Sequence, residues 1–169
     1  MSDFDELNQN LMLIIADVIK HEVADAVKLE ESETIKETLY AEFRPMDYQR
    51  RKDNGGLSSQ VNMQTSAASI SGYTATVHVK NVTQGKAWRN NGVQMIDNVQ
   101  YIIETNQPTE NGDYYDYTNK NSPTGKYYLR PRPFQARTVT RLLNNKKHLY
   151  AMKKGLEAPR HGIQNVQVL

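Results

Sequence analysis

The sequence predicts an α+β fold: a single domain with a long N-terminal helix and a C-terminal helix packed on a small antiparallel sheet. Three observations predict it. An apolar stripe at helical spacing opens the chain, strict apolar–polar alternation fills its middle, and a second helical pattern follows a proline near its end. Phe4, Leu7, Leu11, Ile14, Ile15, Val18, Ile19, Val23 and Val27 recur in steps of three, four and seven, which draws one face of a helix. Asp3 followed by Glu6 fits a capping box, the aspartate accepting from an early amide and the glutamate reaching back. Thr34 and Glu37 repeat that spacing, so the reading breaks the helix at Glu30 to Ser32 and starts a second, shorter one. Pro45 disfavours helix at Arg44 and closes the helical N-terminus, residues 3–43.

Tyr73, Ala75, Val77 and Val79 alternate with Thr74, Thr76, His78 and Lys80, as in a strand with one wet face. Ser71 and Gly72 supply turn chemistry, so residues 61–70 and 73–82 are read as an antiparallel pair, with the sheet at 61–82. Ile96, Val99, Ile102 and Ile103 return to helical spacing and predict a short helix over 92–104. Residues 105–129, rich in Asn, Tyr, Gly and Pro, have no sustained period and read as an inserted loop or hairpin. Pro133 suits a first helical turn, and Phe134, Val139, Leu142, Leu143, Leu149 and Met152 give a C-terminal helix over 133–154. Lys153 and Lys154 form its cationic last turn and Gly155 its C′ residue. An extended tail, 158–169, follows.

Composition narrows the function. The chain has 169 residues, 38% of them hydrophobic, and a mean hydropathy of −0.73. Average domains run nearer ~45–50% apolar, so this core is thin, and copies of the chain are the expected source of the missing burial. No run approaches the ~18 apolar residues of a membrane span. With no cysteine there are no disulfides, thiolate metal sites or cysteine nucleophiles. The net charge of +2 is bipolar: residues 1–42 carry −8 and residues 120–169 carry +10. Such a chain can neutralise itself within a subunit, pair with a neighbour, or turn its basic end to a polyanion. All three are open at this point.

Catalytic patterns are missing from the sequence. His21, His78, His148 and His161 are scattered, none with a second ligand one helical turn away. His21, between Asp17 and Asp25, reads as part of a solvated face, and Glu30 and Glu31 likewise as solvated charge. There is no serine elbow and no glycine-rich phosphate cradle. The expectation is no enzyme, no cofactor and no metal. Arg130, Arg132, Arg137, Arg141, Lys146, Lys147, Lys153 and Lys154 raise the alternative of a DNA-binding accessory protein that uses the 130–154 helix on phosphates.

Two stretches carry a resemblance. One is Phe43, Arg44, Pro45, Tyr48, Arg50 and Arg51, then Asn54, Gly55, Gly56, Leu57 and Asn62. The other is Arg132, Pro133, Phe134 and Thr138, with Gly155 and Leu156 closing the helix. Together they resemble the tail-completion or neck proteins of long-tailed bacteriophages, small structural proteins of the head–tail junction. The sequence departs from that pattern in its 105–129 insertion. The resemblance implies a virion protein, present in the host cytoplasm during assembly. It further implies a homo-oligomeric ring, six-fold to match a tail tube, between head-connector and tail-tube proteins, with DNA passing through without sequence preference and no membrane partner. Tyr48, Arg50, Arg51, Tyr114, Tyr115, Tyr117, Arg130 and Arg132 are the candidate interface residues, since exposed aromatic and guanidinium groups make good anchors. Pro45, Asn54, Gly55, Gly56, Pro133 and Phe134 are the candidate structural turns. In a ring, an acidic side and a basic side would make a complementary pair.

Overall fold

The computed structural model describes residues 3–41, 55–89, 92–96 and 132–168, and it is an α+β protein. Helix α1 is Asp3–Val18 and α2 is Ala24–Ile35, with π-helical turns at Ile19–Val23 and Lys36–Tyr40. Helical residues therefore run without a gap from Asp3 to Tyr40. The break expected at Glu30–Ser32 does not occur, and Thr34 sits inside a helix rather than capping one. The polar run that suggested an end is instead buried: Glu30, Glu31, Ser32 and Thr34 are all at most 5% exposed. Each π turn widens the ladder by one residue, the Ala24 amide reaching the Ile19 carbonyl and the Ala41 amide the Lys36 carbonyl at 3.0 Å.

Among the described residues six short strands form three antiparallel pairs. β1 (Met63–Thr65) lies beside β4 (Val79–Asn81), β2 (Ser69–Ser71) pairs with β3 (Thr74–Thr76), and β5 (Gly85–Arg89) pairs with β6 (Gly92–Ile96). The first two pairs realise the predicted 61–70 and 73–82 pairing. Their turn uses Gly72 at φ +57, a conformation that costs glycine little. The register slips once: Ser69 faces Thr76, whereas the Ser66 amide bonds the His78 carbonyl at 2.8 Å. The slip sets Ala67 and Ala68 against Val77, the two-to-one count of a β-bulge, and the Ser66 hydroxyl accepts the His78 amide at 3.0 Å. Ala75, Val77 and Val79 are half-buried while Thr76, His78 and Lys80 are exposed, as the alternation requires, but Tyr73, read as the first residue of the dry face, is 82% exposed.

The helix expected over 92–104 is corrected at its start: Gly92–Ile96 is strand, with Arg89 opposite Gly92 and Gly85 opposite Ile96. Asn90 and Asn91, between the two strands in sequence, lie outside the described residues. Val93 and Met95 already alternated with Gln94, a two-residue period that four apolar residues at looser helical spacing obscured. Residues 97–104 lie outside the described residues.

The C-terminal helix is two helices, α3 (Phe134–Asn145) and α4 (Lys147–Leu156). Lys146 divides them at φ +54, and the Asn145 side-chain oxygen accepts the Lys147 amide at 3.0 Å. Non-glycine residues pay about 1 kcal/mol or more in that region. Lys146→Gly is therefore expected to stabilise the protein, by less than about 1 kcal/mol after glycine's own entropy cost, read as a rise in melting temperature. Gly155 is not a C′ residue but lies within α4, buried.

The described residues fall into two compact units. In one (Met1–Glu30, Gln64–Lys80, Thr140–Leu169), α1 packs on β2 and β3, and α4 packs on α1 and the Ile19–Val23 turn. Its buried apolar residues are Met12, Ala16, Val18, Ala24 and Leu142. In the other (Glu31–Met63, Asn81–Val139), Ile35, Leu39, Leu57, Met63 and Phe134 are buried. The N-terminal end of the expected stripe is not core: Phe4, Leu7 and Leu11 are 67%, 64% and 42% exposed. Met12 and Ala16 are buried instead, a face rotated from the one that hydrophobicity alone picks.

Candidate functional site

The acidic head and the basic tail meet within one chain. Glu30, on α2 and fully buried, receives Lys147 Nζ at 2.7 Å, Asn145 Nδ2 at 3.2 Å and the Arg141 guanidinium. Burial pushes its carboxyl up, but hydrogen bonds from Lys147, Arg141 and Asn145, with the charge of Arg141, outweigh this and hold it below the ordinary carboxylate range. Arg141 and Lys147 keep part of their surface in water, so the clamp desolvates one charge and leaves its counter-charges wet. Glu30 is thus no solvated carboxylate, and neither is Glu31.

A second seam joins the Ile19–Val23 turn to the segment after α4. Arg160 donates to Glu22 at 2.5 Å and approaches Asp17 at 3.5 Å, and the Glu22 bond chiefly raises its pKa. His21 Nδ1 stands 2.9 Å from the Asp17 carbonyl and 3.0 Å from its carboxylate, and His161 Nε2 lies 3.3 Å from the same carboxylate. Gly155 lets α4 approach: a β-carbon there would sit 2.4 Å from Val18 Cγ1. Lys153 bridges Glu157, at 2.9 Å, and the Val166 carbonyl, holding the extended tail, and its hydrogen bond lowers the Glu157 pKa. Of the three uses open to the bipolar charge, the structure displays neutralisation within the subunit.

The other unit contains a buried polar knot. Asn81 Nδ2 donates to the Leu57 carbonyl at 2.8 Å and to Glu31 Oε1 at 3.3 Å, while its Oδ1 accepts the Thr83 hydroxyl at 2.6 Å and the Thr83 amide at 3.1 Å. Asn62 Nδ2 reaches the Gly56 carbonyl and Thr83 Oγ1, each at 3.2 Å. Ser32 donates to the Ser58 carbonyl at 2.7 Å, and the Ser58 amide donates to the Tyr40 hydroxyl at 3.2 Å. The knot fixes the 55–59 loop by its backbone. Asn81→Ala is expected to cost about 1–2 kcal/mol, because it strips partners from buried groups, and is read by chemical denaturation.

Of the sequence-derived candidates, Gly55 has φ +77, Gly56 is buried with its carbonyl in the knot, Phe134 is fully buried, Pro133 is exposed and Arg132 half-buried. The Pro133 carbonyl accepts the Arg137 amide at 3.2 Å, and the Thr138 hydroxyl bonds the Phe134 carbonyl at 2.8 Å. Pro45, Tyr48, Arg50, Arg51, Asn54, Tyr114, Tyr115, Tyr117 and Arg130, with the 105–129 insertion, lie outside the described residues. Sequence reasoning missed Glu30, Asn81, Thr83 and Gly155. Asn81 had a readable signal, since it extends the inward series Ala75, Val77, Val79 with a polar residue.

Among the described residues no group of three or more His, Asp or Glu is disposed to hold a metal, and no helix is long and apolar enough to cross a membrane. A surface depression of ≈ 510 Å³ is lined by Tyr150, Lys153, Lys154, Glu157, Ala158 and Pro159. Its Lys153 is engaged with Glu157 and Val166, and no nucleophile and base converge there.

The class in view is a small phage-derived α+β protein whose charged groups tie its own N- and C-terminal segments together. It belongs to the YomN family, whose model matches residues 3–158. No curated protein and no solved structure matches the chain.

Proposed function

We propose that this protein is a non-enzymatic structural component of the phage particle, acting at the neck or tail terminus as a ring between the head connector and the tail tube. Membership of a phage-derived family supports the setting. The observation that carries the structural role is the exposed apolar surface: Phe4, Leu7 and Leu11 on α1 and Val139 and Leu143 on α3, the last two 55% and 65% exposed. Exposed apolar rows on helices of a thin-cored protein are assembly surfaces in the making. The charge clusters, by contrast, are engaged in holding the fold. The DNA-binding alternative loses support from the same fact, because Arg141 and Lys147, two of its eight cations, grip Glu30.

The test is genetic. Deleting the gene from a phage that carries it is expected to leave filled heads and separate tails, with the protein present by mass spectrometry in complete wild-type particles. Normal particles from the deletion strain would overturn the proposal.

A further inference from the structure

We propose that the N-terminal half of α1 in one copy docks on α3 of a second copy, a head-to-tail contact that uses a different surface on each partner. The inference deepens the ring reading and rests on it for its biological setting. Phe4, Leu7 and Leu11 recur at steps of three and four, continued by half-buried Ile14, which is the spacing of a coiled-coil seam. On α3, Val139 and Leu143 lie one turn apart, with exposed Ala136 a turn earlier. Two apolar rows of this period can interdigitate at a shallow crossing angle.

Charge selects the pairing. From Met1 to Ile19 the chain has Asp3, Asp5, Glu6 and Asp17 and no lysine or arginine, whereas from Arg132 to Leu156 it has seven lysines and arginines and no acidic residue. Asp5 and Glu6 are exposed beside the α1 row, and Arg137 and Lys146 are exposed on and beside α3. Packing α1 on another α1 brings acid toward acid, and α3 on α3 brings base toward base. Packing α1 on α3 brings opposite signs together. Because the two surfaces differ, each copy keeps one of each free for the next neighbour, and the series closes into a ring if the rotation allows.

The chain has no cysteine, so Leu7→Cys and Leu143→Cys each carry a single thiol. Both side chains are about two-thirds exposed, and circular dichroism should match wild type. Mixed and oxidised, the full-length variants are expected to form a Leu7→Cys to Leu143→Cys cross-link in clear excess over either self cross-link, weakened by salt. Complementation provides a second readout: Leu7→Glu and Leu143→Glu should each be monomeric alone and form a two-chain complex when mixed. Preferred Leu7→Cys self cross-links would overturn the inference, as would the absence of a mixed cross-link both in concentrated solution and in phage particles. The two readings separate cleanly. A ring that assembles unchanged from Leu7→Glu copies sinks this interface and leaves the ring standing, whereas mixed cross-links from a protein absent from particles do the reverse.

Discussion

Gly155→Val is expected to destabilise the protein by about 3 kcal/mol, the upper end of what overpacking a well-filled site costs. The β-carbon alone would meet Val18 Cγ1 at 2.4 Å and Glu22 Oε2 at 3.2 Å. Val18 is fully buried, so its methyl group has no solvent to retreat into. Gly155→Ala is the finer test, because alanine gains up to about 1 kcal/mol in helix propensity while meeting the same methyl group. The clash should win, with a smaller net loss. Val18→Ala, itself destabilising, should relieve part of it in the double mutant, giving a favourable coupling by thermal or urea unfolding. Additive losses would mean that α4 does not approach the N-terminal helix as closely as described.

Glu30→Ala is expected to cost about 3 kcal/mol, the lower end of the range for breaking a buried ion pair, since Arg141 and Lys147 are partly wet and can recover hydration. The pH dependence has a definite sign. The Glu30 carboxyl titrates below its ordinary value of 4.5 in the folded state. Its contribution is therefore complete above the ordinary carboxylate range and is lost as pH falls through the lower, folded value. Glu30→Gln should remove this component, so that the stability gap between wild type and variant narrows on acidification. A gap that widens in acid would contradict the clamp.

The sequence made the backbone classes legible where one period dominated. The alternation gave the wet and dry faces of residues 75–80 but not of Tyr73, which is exposed, and the 3–4–7 steps gave α1. It misplaced features wherever a polar residue was buried or an apolar one left out. Glu30, Glu31 and Ser32 read as a helix end because isolated glutamates prefer water, and their partners, Arg141, Lys147, Asn81 and Ser58, are distant in sequence. Phe4 and Leu7 read as core because periodicity reports that a face is apolar, not what covers it. The division at Lys146 was hidden in Asn144–Asn145–Lys146, whose cap needs a left-handed lysine that composition does not announce. The motif residues fared differently: Gly56, Leu57 and Asn62 meet in the polar knot, a convergence that spacing alone could not reveal.

Cryo-electron microscopy of intact particles from a phage that carries this gene would show whether the chain sits at the head–tail junction. Several copies of the chain are expected around the axis at the head–tail junction, with α1 of each against α3 of the next. Particles whose junction is built without this chain, alongside a purified protein that stays a single copy at every concentration, would contradict this expectation.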